Sequence, residues 1–130
     1  MNDSESTIRE LKQAIHSMVL KKGWGDENGV QNPQQVAMAM TVEMSELLEH
    51  FQWLNPDGVQ KLLDGNDPER CAAIAEEFAD VMMYGLQLMD CLKIDVSKAI
   101  ENKINVVMKR PAVYKKTTVR TPVEGDDTNE

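Results

Sequence analysis

Aromatic side chains are scarce in this chain of 130 residues, with two Trp, two Tyr and two Phe. A core of stacked rings is excluded; nine Met supply polarisable, adaptable packing instead. Cysteine is limited to Cys71 and Cys91. If both lie on one helix, twenty residues at about 1.5 Å each hold them roughly 30 Å apart. They cannot pair with each other, and they read as buried thiols of a cytoplasmic protein. Basic charge is in deficit: 14 Lys and Arg face 22 Asp and Glu, for a net charge of -8. No basic stripe exists to neutralise phosphates along a strand, so a nucleic-acid partner is not expected. No run approaches the length of a membrane span. The opening MNDSESTIRE lacks the basic and apolar regions of a signal peptide. Period-two alternation is also missing, which predicts an all-α fold.

What the chain does have is helical punctuation. Its length fits a single domain, expected over 1–112, with an acidic disordered tail over 113–130. Ser4 or Ser6 can cap a first helix carrying Ile8, Leu11, Ile15, Met18 and Val19, and Lys21-Lys22-Gly23 closes it. Asn32-Pro33 opens a second helix, expected to run to about Trp53. Asn55-Pro-Asp-Gly58 marks a turn, with a short helix over 59–63. Asp67-Pro68 opens a long helix to about Lys93. Asp95 caps a last one, expected to turn Val96, Ile100, Ile104 and Val107 inward. The helix from Pro33 is apolar nearly all round, as Ala37, Met38, Val42, Met44 and Leu48 fall outside its main stripe. One small domain cannot cover so much, so the expectation is a helical bundle completed by homo-oligomerisation.

The chemistry lies in two helical runs. Glu43-Met-Ser-Glu46 and Glu77-Phe-Ala-Asp80 each place two carboxylates three residues apart. Such residues lie roughly 60° apart on a helix and point the same way. Glu43 falls inside the apolar stripe of Val36, Ala39, Met40 and Leu47; Glu77 and Asp80 share a face with Ala73, Val81, Tyr84 and Leu88. Carboxylates set into apolar stripes are costly unless something pairs with them. Hard cations such as Mg²⁺, or Mn²⁺ in its place, answer four converging acids best. Single acidic pairs on helices are usually solvated, and Glu49, Glu69 and Glu76 read that way. A di-iron bundle would need Glu-x-x-His, and neither His16 nor His50 follows an acid by three. The serious rival is a non-catalytic helical oligomer acting as a regulatory or binding module.

Two further residues stand out. Trp24 sits between glycines in a polar loop, either as a packing anchor or as a ring free for a base or a partner subunit. Lys103 lies in the apolar stripe of the last helix; it meets an acid or a phosphate, or its stem packs while its amine reaches out.

Taken together, the E-x-x-E helix, the spacer of some thirty residues, the E-x-x-D helix and the basic helix after it resemble the MazG-like all-α nucleotide pyrophosphohydrolases. Phe51-Gln52-Trp53, Asp80-Val-Met-Met-Tyr84 and the 95–103 segment are similar to the dCTP-pyrophosphatase branch, over roughly residues 20–111. The resemblance implies a four-helix bundle, a homodimer or homotetramer, and Mg²⁺-dependent conversion of a (d)NTP to (d)NMP and pyrophosphate. It implies Glu43, Glu46, Glu77 and Asp80 as metal ligands, Trp53 and Tyr84 at the base, and Lys103, with Lys109 or Arg110, at the phosphates. The chain departs from the pattern at Gln31-Asn-Pro-Gln-Gln35, where the branch has His-Thr-Pro-x-Asn, and at Val107, where it often has Asn.

Overall fold

A computed structural model describes residues 1–111, and the expected tail falls outside the described residues. The architecture is all-α: α1 (Ile8–Lys22), α2 (Pro33–Glu49), α3 (Pro56–Leu63), α4 (Pro68–Cys91) and α5 (Val96–Met108). Four long helices and the short α3 match the expected class.

The helix starts follow the caps. Asn32 Oδ1 accepts from the Gln34 and Gln35 N–H groups, Asp67 from Arg70 and Asp95 from Lys98. Each satisfies donors that the first turn leaves orphaned, typically a contribution of about 1 kcal/mol. The first helix corrects the expectation: its cap is Thr7, not Ser4 or Ser6. Thr7 Oγ1 accepts from the Glu10 N–H, and Glu10 Oε2 accepts from the Thr7 N–H at 2.7 Å. That reciprocal pair holds the Glu10 carboxyl below the usual carboxylate range, chiefly through the Thr7 backbone N–H. Gly23 ends α1 with φ 68°, a conformation that a side chain would strain. The second helix ends at Glu49, and residues 50–53 form a turn rather than continuing to Trp53.

Helix α4 is the organising element, since α2, α1 and α3 all pack on it and α2 does so most extensively. The α2–α4 pairings run in opposite directions. Met40 lies over Gly85, Glu43 meets Glu77 and Asp80, and His50 reaches Arg70. A Cβ at Gly85 would lie 3.4 Å from Met40 Cε, at ordinary contact distance, so the two helices pack closely here without needing glycine. Arg70 Nη1 donates to the His50 carbonyl at 3.0 Å while Arg70 Nε donates to Asp67 Oδ2, tying the end of α2 to the start of α4.

The buried apolar side chains among the described residues are Val19, Val36, Val81 and Leu86. The faces left uncovered are broad. Met38, Val42, Met44 and Leu48 on α2 are exposed, as are Phe78 and Met82 on α4. The inward stripe expected of α5 is not inward in the single chain, because Ile100, Ile104 and Val107 are about half exposed and α5 shares no extensive packing with α2 or α4. Cys71 and Cys91 lie near the two ends of α4, both free and half-buried rather than buried.

Candidate metal centre

Register converts two acidic faces into one cluster. Glu43 comes from the middle of α2, Glu77 and Asp80 from the middle of α4, and each offers a carboxylate oxygen within 4.8 Å of the other two. Glu43 and Glu77 are half-buried and Asp80 is exposed. Glu46, one turn further along α2, is exposed and falls outside this triad. It is still close enough to act on Glu43. Burial, followed by the negative charges of Glu46, Asp80 and Glu77, pushes the Glu43 carboxyl above its ordinary range.

The donor set fits a hard divalent cation. It is all oxygen, carries several negative charges, and is spaced as ligands of one ion would be after small side-chain adjustments. No lysine or arginine is paired with Glu43, Glu77 or Asp80 among the described residues. The nearby nitrogen group is the His50 imidazole, whose Nε2 lies 4.0 Å from Glu77 Oε1, too far for a hydrogen bond. His50 is not among the ligands that the sequence predicts. The signal for it was present, since His50 follows Glu43 by seven residues, two helical turns on the same face.

The other candidates are spread more widely. Tyr84 follows Asp80 by four residues on α4 and is half-buried, so it continues the acidic face. Trp53 stands in the turn after α2 and is 86% exposed. Trp24 is about half exposed in the loop after α1. Lys103, Lys109 and Arg110 are all exposed, on or just after α5. The structure therefore brings together Glu43, Glu77 and Asp80, with Glu46 and His50 at their edge, and leaves the α5 cations apart within one chain.

Comparison with known proteins meets this geometry directly, because the model of the MazG-like family matches residues 38–122, which include both acidic runs. The chain belongs to the MazG-like family. It is 26% identical to dCTP pyrophosphatase 1 of Homo sapiens over 121 residues, covering 92% of this chain and 68% of that protein. The corresponding protein of Bos taurus is 26% identical over 114 residues, 85% of this chain and 63% of its own length. The chain thus spans about two thirds of these relatives. Its fold also resembles the crystal structure of a pyrophosphatase from Archaeoglobus fulgidus, with a TM-score of 0.66, 27% identity, and coverage of 82% of this chain and 94% of the other.

Proposed function

We propose that this MazG-like chain is a nucleotide pyrophosphohydrolase, an enzyme that cleaves a (d)NTP to (d)NMP and pyrophosphate, with Mg²⁺ as its metal and Mn²⁺ as a substitute. The observation that carries this reading is the Glu43, Glu77 and Asp80 triad, whose uncompensated charge calls for a cation. Relatives named dCTP pyrophosphatase and pyrophosphatase support the reaction class. A role in clearing the nucleotide pool follows from such chemistry.

Phosphoryl transfer needs positioning and charge neutralisation more than covalent help from the protein. A bound Mg²⁺ would neutralise triphosphate oxygens and make a water more acidic. Glu43, Glu77 and Asp80 would hold that ion. Glu46 stands beside them without belonging to the triad, so it is our choice for the base that takes the proton of the attacking water. The water oxygen bonds to the α-phosphorus, the bond from that phosphorus to the bridging oxygen breaks, and pyrophosphate departs. Tyr84 and Trp53 would flank the base, and Trp24 would add a third ring if its loop folds over. Lys103, Lys109 and Arg110 would meet the phosphates. In one chain α5 stands off the acidic pair, and its exposed Ile100, Ile104 and Val107 support a homodimer or homotetramer in which a second copy covers it.

Pyrophosphate release from a panel of (d)NTPs, with Mg²⁺ and then with EDTA, tests the reading. Metal-dependent release with a monophosphate product is expected. If no nucleotide is cleaved under any metal, the chain is a non-catalytic helical module instead.

A further inference from the structure

A second cluster of charged side chains lies at the C-terminal end of α4. An open cavity of about 1110 Å³ is bounded by the start of α1, the end of α4 and the start of α5. In a chain whose net charge is -8, this cavity collects Arg9, Lys12, His16 and Lys93 against two acids, Asp90 and Asp95. Both acids are already engaged. Asp90 Oδ1 lies 3.5 Å from Lys12 Nζ, and Asp90 Oδ2 lies 3.3 Å from His16 Nδ1. Asp95 Oδ1 accepts from the Lys98 N–H at 2.9 Å as the cap of α5. Arg9 and Lys93 pair with no acid among the described residues, and Arg9, Lys12 and Lys93 outnumber the two carboxylates by one.

The placement of Lys93 adds an independent observation. It is the one non-glycine residue with positive φ, 54°, among the described residues. It makes the left-handed turn that closes α4, where the Ile94 N–H donates to the Met89 carbonyl at 2.9 Å. Glycine suits that position, and the corresponding turn after α1 is made by Gly23. At the end of α4 the chain instead carries a lysine in a strained conformation, beside a cavity with unspent positive charge.

We propose that this cavity binds a polyphosphate without any divalent metal, with Arg9 and Lys93 as its contacts and the Lys12, His16 and Asp90 group as its floor. Its volume accommodates a nucleoside triphosphate as readily as free pyrophosphate. Two cations from different segments, Arg9 on α1 and Lys93 just after α4, suit a chain of phosphates better than a single carboxylate. The site goes beyond the reaction assigned to the acidic triad and does not depend on that reading.

The test uses the full chain in EDTA, where the acidic triad repels polyanions. Inorganic pyrophosphate, tripolyphosphate and a dNTP are titrated separately and followed by amide NMR shifts. Saturable shifts at residues 9–17 and 90–97 are expected. Equal affinity for tripolyphosphate and dNTP assigns the site to the phosphate chain alone, whereas tighter dNTP binding extends it to the nucleoside. The Lys93→Gly variant separates binding from folding: it relieves the strained turn, so its Tm should rise by about 3 °C. Its affinity for pyrophosphate should nevertheless fall about tenfold. The absence of saturable shifts, or unchanged affinity in an Arg9→Ala, Lys93→Gly double variant, overturns the proposal.

Discussion

Helix α4 carries carboxylates in two settings, and the chain treats them in opposite ways. At its end, Asp90 sits between Lys12 and His16, so the protein supplies its counter-charge. At its middle, Glu77 and Asp80 converge with Glu43, and no lysine or arginine is paired with them. An acid compensated from within the chain ties elements together, here α1 to α4. An acid cluster left uncompensated is a standing electrostatic cost, and in a functional protein such a cost points to a ligand. Both settings are acidic residues on one helix, so residue type alone does not separate them; the neighbours do.

The largest expected difference is in turnover. Glu77→Gln or Asp80→Asn should lower pyrophosphate release by roughly 10²-fold or more, because charge stabilisation of the reacting phosphates is lost. The helical circular dichroism should remain that of the parent. Asp90→Asn in the same assay should leave turnover near the parent value; an equal loss there would erase the contrast between middle and end.

Metal should distinguish them next. Free Mg²⁺ at a hundred times its dissociation constant should stabilise the parent by about 2.7 kcal/mol, and a thermal scan with and without the ion reads this. Glu43→Gln should lose most of that gain, while Asp90→Asn should keep it.

Stability without metal gives a smaller effect. Asp90→Asn should cost at most about 1 kcal/mol in denaturant unfolding, since its partly exposed ion pairs are screened by solvent.

The smallest effect is in the pH dependence of the metal-free chain. The Glu43 carboxyl is raised in the folded state, first by burial and then by its acidic neighbours. Its contribution to stability is therefore fully present below its unfolded value and is lost as pH rises through the folded one. Glu43→Gln mimics the protonated carboxyl, so in mild acid the metal-free parent should match the variant, and at neutral pH it should fall below it. A Tm difference independent of pH would deny the repulsion at this cluster.

Much of this was legible in the sequence. Asn32, Asp67 and Asp95 marked the helix starts, since a cap acts on its own next turn. Thr7 was legible too, through its three-residue spacing to Glu10, the spacing of a capping box. The end of α2 was not, because residues 50–53 keep an apolar pattern while the backbone leaves the helix. The stripe of α5 was visible as a stripe, but periodicity says only that a face wants cover. Ile100, Ile104 and Val107 find none within one chain.

Three-residue spacing is a local property of the helix, so the sequence alone puts Glu43 and Glu46 on one helical face and Glu77 and Asp80 on another. It shows as well that these faces interrupt apolar stripes. Packing joins Glu43 to Glu77 and Asp80 while Glu46 stands outside, brings His50 near Glu77, and sets Asp90 against Lys12 and His16. Those outcomes depend on the register of α2 against α4, seated by Met40 over Gly85, and on where α1 crosses α4. Register is a packing result between distant segments, and helical periodicity carries no information about it.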